Sequence, residues 1–198
     1  AAAGIQDIVI NHAWLGDRIE AALGDGRQWH VRLRYSPEST ALETAGGIKN
    51  ALPLLGDAPF LVINGDVWCD WSPAQADGIG ADLTARGDQA CLLLVDNPEH
   101  HPEGDFALRR DGSVLPRGND AALTFSGIGI YRPGVLEGWR GTVDGDPGTP
   151  PRFRLAPLLR MAMARAGVTG EHHRGRWTDV GTPERLATLD RRLRTSPG

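Results

Sequence analysis

Phe60-Leu-Val-Ile-Asn-Gly-Asp66 is the stretch on which the fold turns. Four apolar residues in a row suit a strand buried on both faces of a parallel sheet. The run stops at Asn-Gly-Asp, so the polar residues fall just past the strand's carboxyl end, where open α/β sheets bind ligands. A carboxylate there can hold Mg²⁺, and Mg²⁺ usually brings phosphates with it. The plain alternative is a turn, because Asn-Gly is a favoured hairpin dipeptide. Against a hairpin, Val67-Trp-Cys-Asp-Trp-Ser72 does not alternate as a return strand should.

Outward from this strand, sheet-like and helix-like segments take turns. On the N-terminal side, Asp7-Ile-Val-Ile-Asn11 reads as a short strand ending at the polar pair Asn11-His12. Leu15, Ile19, Ala22 and Leu23 share one helical face, closed by Gly24. His30 to Tyr35 alternates like a half-buried strand. A long polar connection from Ser36 to Gly47 then leads into a helix ending near Leu55. On the C-terminal side, Ser72-Pro73 marks a helix start, with Ser as cap and Pro in the first turn. Ala90 to Val95 is a strand. Residues 105–110 and 113–115 form a hairpin about Asp111-Gly112. Thr124 to Tyr131 is a strand whose Gly127 and Gly129 mark a close approach by a ligand or another backbone. Residues 141–151, rich in Gly and Pro, read as a loop. A helix over 155–166, strands over 171–173 and 176–180, and a helix over 183–194 complete a mixed α/β sheet.

The chain's 198 residues fit one domain with length enough to bury a core. Its net charge of −4 offers nothing to nucleic acid or an anionic membrane. No apolar run approaches the roughly 18–20 residues of a membrane span. Cys69 and Cys91 form no metal or redox spacing and read as free thiols of a reducing cytoplasm. The opening Ala1-Ala2-Ala3-Gly4 resembles the last turn of a helix with its glycine cap, so the chain reads as a fragment.

Trp177-Thr-Asp-Val-Gly-Thr-Pro-Glu-Arg-Leu186 is the second informative segment. Thr182 caps a helix that Pro183 begins, which leaves Asp179 unneeded for capping. Alone, Asp179 is a turn residue; paired with Asp66, it makes two strand-end carboxylates able to hold divalent cations. Leu42-Glu-Thr-Ala-Gly-Gly-Ile48 puts a glycine pair between a loop and a helix, where backbone N–H groups can meet a base or phosphate. By itself it reads first as an ordinary helix start, and it is neither a P-loop nor a dinucleotide fingerprint. The pairs His100-His101 and His172-His173 lack zinc spacings and suit surface or supporting roles. Phe125-Ser-Gly-Ile128 is not a nucleophile elbow.

Taken in order, Leu-Glu-Thr-Ala-Gly-Gly47, the strand ending Asn-Gly-Asp66, Phe125-Ser-Gly-Ile128 and Trp177-Thr-Asp-Val-Gly-Thr182 resemble the sugar-1-phosphate nucleotidyltransferases. Ile10-Asn-His-Ala-Trp-Leu-Gly16, Leu52-Pro-Leu-Leu-Gly-Asp-Ala-Pro-Phe60 and Val95-Asp-Asn-Pro-Glu-His-His101 are most similar to the N-acetylmuramate 1-phosphate uridylyltransferases among them. The resemblance spans residue 1 to about 194.

It implies a Rossmann-like, GT-A-like nucleotidyltransferase fold. It also implies transfer of UMP from UTP to a sugar 1-phosphate, with release of pyrophosphate, in peptidoglycan recycling. By family pattern Asp66 and Asp179 would bind Mg²⁺ and be catalytic. Glu43, Thr44, Gly46 and Gly47 would line the nucleotide base, while Asp105, Ser126 and Gly127 would face the sugar. The implied partners are a nucleoside triphosphate and a sugar phosphate, with no nucleic acid or membrane, in a monomer or weak oligomer. Mannose with GTP or glucose with dTTP is the nearest alternative; a noncatalytic binding domain on the same fold is a different one. The family opens with a strand, a glycine-rich loop carrying Arg, and a Pro-Lys segment. None of these lies in this sequence, so the expectation is an active parent and an inactive fragment.

Overall fold

The computed structural model describes residues 2–118 and 121–195. Ala1, expected in a helix end, lies outside them; Ala2 and Ala3 form a turn, and Gly4 follows with a left-handed φ of +81°. In chain order the regular elements are β1 (Asp7–His12), α1 (Gly16–Leu23), β2 (Arg32–Pro37), α2 (Glu43–Leu55), β3 (Phe60–Ile63), β4 (Val67–Cys69) and α3 (Ala76–Arg86). There follow β5 (Ala90–Val95), β6 (Phe106–Leu108), β7 (Val114–Pro116), β8 (Ala122–Tyr131), α4 (Leu155–Met163), β9 (Val168–His172), β10 (Trp177–Asp179) and α5 (Pro183–Thr195).

The described residues form three sheets. β1 and β2 pair in parallel, joined through α1. β4 and β10 pair antiparallel. The remaining six strands form a mixed sheet ordered β7-β6-β8-β5-β9, with β3 on β8 and only β5·β9 parallel.

The mixed α/β architecture expected from the sequence is therefore present, but the deciding strand sits differently in it. β3 runs antiparallel to β8, and its exposure rises from 8 % at Phe60 to 46 % at Ile63. The strand buried on both faces is β5, all six of whose residues are buried. Leu92 and Leu94 point into a cluster with Phe106, Leu158, Leu159 and Val168, while Cys91 and Leu93 face Leu83, Ile128 and Ile130. Helices α2 and α4 cover the first face and α3 the second. Burying each such leucine contributes about 1.5–3 kcal/mol, so β5 anchors the domain.

Other boundaries differ for tertiary reasons. Helix α2 begins at Glu43 rather than after the glycine pair, because a distant loop supports its first turns. Glu38 Oε2 accepts the Leu42 N–H at 3.0 Å, and the Gly46 N–H donates to the Phe153 carbonyl at 3.1 Å. Val67–Cys69 is a strand after all, but it pairs with β10 rather than returning along β3. Ser72 makes no side-chain cap; a short 3₁₀ turn over Pro73–Gln75 feeds α3 instead.

The β8 strand carries a bulge at the point that matters most. Gly129 faces Leu92 and Phe125 faces Leu94, so three residues of β8 are set against the single Leu93. Bulges bend a strand and re-aim its side chains. Gly127 sits in this bulge at φ +80°, and a Cβ there would stand 2.9 Å from Asn64 Nδ2 and 3.0 Å from Val67 Cγ2. Only glycine suits both the backbone angle and that space.

Candidate active site

The two carboxylates singled out in the sequence are brought together by the β4–β10 ladder. Asp179 pairs across it with Val67, and Asp66 follows β3 through a turn in which the Val67 N–H donates to the Asn64 carbonyl at 3.2 Å. The ladder continues one step further, with the Val180 N–H donating to the Asp66 carbonyl at 2.7 Å. The Asn64 N–H reaches the Gly127 carbonyl at 2.9 Å and ties the turn to the bulge.

These elements enclose an open cavity of about 350 Å³ lined by residues that include Asn64, Asp66, Ser126, Gly127, Trp177 and Asp179. His100 and His101, from the loop after β5, complete its rim. The Trp177 indole N–H donates to the Ser126 carbonyl at 2.9 Å and fixes β10 against β8.

The environments of the two acids differ. Asp179 is half-buried and engaged: Arg185 Nη1 lies 2.6 and 2.7 Å from its two oxygens, and His100 Nε2 lies 3.6 Å from one of them. Arg185 projects from the first turn of α5, which is held by Thr182 as expected, the Arg185 N–H donating to Thr182 Oγ1 at 3.3 Å. Asp66 is exposed to the cavity, and among the described residues it has no ion-pair partner. Its Oδ2 lies 3.6 Å from where a Cβ on Gly181 would stand, so the two turns approach closely.

Two hard oxygen donors on one cavity wall suit Mg²⁺, which takes one or two carboxylates and completes its shell with water and phosphate oxygens. Asp66 is free to serve, and Asp179 has lone pairs beyond those Arg185 occupies. The residues present fit the ion.

The other residues named from sequence fall in different places. Ser126 and Gly127 line the cavity, but Ser126 is only 1 % exposed, and its Oγ accepts the Ile128 N–H at 3.1 Å. Asp105 is not among the lining residues. Its Oδ2 accepts the Phe125 N–H at 2.8 Å and its Oδ1 lies 3.2 Å from His101 Nε2, so it braces the wall from behind.

Glu43, Thr44, Gly46 and Gly47 stand apart from this cavity, at the start of α2. Glu43 takes a strained φ of +63° and pairs with Arg152 at 3.0 Å. Thr44 is exposed. A Cβ on Gly46 would lie 2.6 Å from the Pro151 carbonyl oxygen, and one on Gly47 would lie 2.7 Å from Glu38 Oε1. The glycines are thus needed for packing, whatever else they contact.

Sequence reasoning missed Asn64, Arg185 and the His100-His101 rim as parts of the site. The histidines read as supporting residues, and only the Val95–His101 likeness pointed at their loop.

The sequence profile described as nucleotidyl transferase matches residues 1–196. The chain is 50 % identical over 187 residues to the N-acetylmuramate alpha-1-phosphate uridylyltransferase of Neisseria meningitidis serogroup B, covering 93 % of this chain and 77 % of that protein. It is 33 % identical over 201 residues to the protein of the same name from Caulobacter vibrioides, covering 97 % and 79 %. Among solved structures, HddC from Yersinia pseudotuberculosis superposes with a TM-score of 0.69 at 19 % identity, over 97 % of this chain and 80 % of that one. That last likeness bears on the fold alone.

Proposed function

We propose, from the premise that this chain belongs to the nucleotidyl transferase family, that the full-length protein transfers UMP from UTP to N-acetylmuramate 1-phosphate. The observation that carries the reading is the placement of Asp66 and Asp179 side by side on one open cavity. The likeness to two proteins named as N-acetylmuramate alpha-1-phosphate uridylyltransferases supports the choice of sugar and base.

In this reading a phosphate oxygen of the sugar phosphate attacks the α-phosphorus of UTP in line with the departing pyrophosphate. The nucleophile is already an anion, so no general base is required. The protein's contribution is positioning and charge stabilisation. Asp66 and Asp179 would hold Mg²⁺, which neutralises phosphate charge and fixes the reacting oxygens. Arg185 keeps the Asp179 carboxylate aimed at the cavity. Trp177 and Gly127 hold β10 and the β8 bulge at a fixed separation, and with it the cavity width. Glu43, Thr44, Gly46 and Gly47 are assigned to the base and Ser126 and Gly127 to the sugar, with Asp105 supporting that wall through the Phe125 N–H and His101. A nucleotide sugar made in this way serves peptidoglycan recycling in the cytoplasm.

The test is pyrophosphate release by the full-length protein with Mg²⁺, comparing UTP, GTP and dTTP against N-acetylmuramate, mannose and glucose 1-phosphates. Turnover with UTP and N-acetylmuramate 1-phosphate above the other pairs is expected. Preference for GTP or dTTP overturns the uridylyl assignment, and preference for another sugar overturns the muramate one.

A further inference from the structure

The ladder that carries Asp66 and Asp179 at one end carries a chemically different trio at the other. Cys69 Sγ, an Asp70 carboxylate oxygen and a His173 ring nitrogen all lie within 4.8 Å of one another. Neither histidine pair nor the two cysteines had a metal spacing in the sequence, because His173 reaches Asp70 across 103 residues. The fold supplies the proximity: the Asp70 N–H donates to the Arg176 carbonyl at 3.0 Å, extending the β4–β10 ladder, and His173 stands just before that strand.

The trio is built rather than incidental. Gly175 passes so close that a Cβ on it would lie 2.3 Å from Asp70 Oδ1 and 2.6 Å from His173 Nε2. His173 Nε2 and Asp70 Oδ1 already meet at 2.8 Å, and the Arg176 N–H holds the same carboxylate at 2.9 Å. The His173 side chain is largely covered, Asp70 is open to solvent, and Cys69 is half-buried. The site therefore has a covered side and an approach.

We propose that Cys69, Asp70 and His173 form a binding site for a borderline-soft divalent cation of the Zn²⁺ type, separate from the Mg²⁺ carboxylates. The donor set decides the class. A thiolate and an imidazole suit Zn²⁺ or Co²⁺ and not Mg²⁺, whereas Asp66 and Asp179 offer only oxygen. Donor atoms on a tetrahedral zinc lie roughly 3.5 Å apart, so the His173–Asp70 contact of 2.8 Å opens slightly as the ion enters. Three protein ligands leave the fourth position to water on the exposed side. Metal entry would release the Cys69 proton to solvent as the thiolate forms on the ion. The bound cation would cross-link β4 to the segment before β10, and so clamp the ladder that sets the Asp66–Asp179 separation.

Co²⁺ is the probe, added to metal-free full-length protein with Mg²⁺ in excess to hold the oxygen site. A near-ultraviolet thiolate-to-cobalt charge-transfer band saturating at one equivalent is expected, absent in Cys69→Ser and reached only at about tenfold or more higher Co²⁺ in His173→Gln. A spectrum without that band overturns the proposal, as does a band that survives in Cys69→Ser. A measurement on the unaltered protein guards against a variant that fails to fold. Zn²⁺ should slow reaction of Cys69 with a thiol reagent, read by peptide mapping, and an unchanged rate also overturns the proposal.

Discussion

Arg185 Nη1 lies 2.6 Å and 2.7 Å from the two carboxylate oxygens of Asp179, while Asp66, on the same cavity, has no ion-pair partner among the described residues. The two acids should therefore separate in stability while agreeing in activity. Asp66→Asn removes a charge from an exposed, unpaired position and should change stability by less than about 0.5 kcal/mol. Asp179→Asn strands Arg185 and should cost about 0.5–1 kcal/mol, since the pair is only part-buried. Both should lower kcat at least 100-fold, on the order of 3 kcal/mol of lost charge stabilisation. Denaturant titration together with turnover measures both effects; near-normal turnover in either variant removes that residue from the metal role.

A methyl group at position 127 should disturb the site without touching a carboxylate. Gly127→Ala forces a left-handed backbone costing about 1–2 kcal/mol and presses on Asn64 and Val67. If the bulge relaxes, the Asn64 turn moves and Asp66 moves with it. The expected result is a lower midpoint in urea and a rise in KM for the sugar phosphate. A variant as stable and as active as the parent would show that the bulge does not position the turn.

Asp66 was legible in the sequence for the same reason that the pairing of its strand was not. An apolar run ending in Asn-Gly-Asp marks a strand end wherever it lies, because the signal is local. Whether the run is doubly buried depends on its neighbours, and four residues cannot carry that information. Burial fell instead to β5, whose Ala-Cys-Leu-Leu-Leu-Val is as apolar as Phe-Leu-Val-Ile but lies between β8 and β9. The early start of α2 escaped notice for a related reason. Gly46 and Gly47 look like a loop until Pro151–Phe153, about a hundred residues later, covers Gly46, and Asn11 and Glu38 close on Gly47. His173 beside Asp70 and Arg152 beside Glu43 are contacts of the same long-range kind.

Among the described residues the buried Tyr131 hydroxyl has no hydrogen-bond partner, and the ring is fully enclosed. A hydroxyl so placed has lost water without compensation, which costs about 1–3 kcal/mol. Tyr131→Phe should keep the packing with Phe60 and raise stability by about 1 kcal/mol. Gly129→Ala should do the reverse, because a Cβ there would stand 2.4 Å from that oxygen. Midpoint shifts at constant slope in urea distinguish the two. Loss of stability in Tyr131→Phe would mean that the hydroxyl has a partner after all.

Cys91 should shape the alkaline limb of stability. Burial on β5 pushes its thiol from 9.0 up to about 11. An acid whose ionisation is harder in the folded chain stabilises that chain fully below its unfolded value. The contribution then drains away as pH climbs to the folded value, because only the unfolded chain gives up its proton readily. The window is therefore pH 9 to 11, with stability falling as pH rises and a total effect on the order of 2–3 kcal/mol. Cys91→Ala carries its own offset from the lost side chain, but that offset does not depend on pH. The stability of the parent relative to Cys91→Ala should therefore decline steadily between pH 9 and 11. A constant difference across that range would mean that the thiol ionises as easily in the folded protein as in the unfolded one.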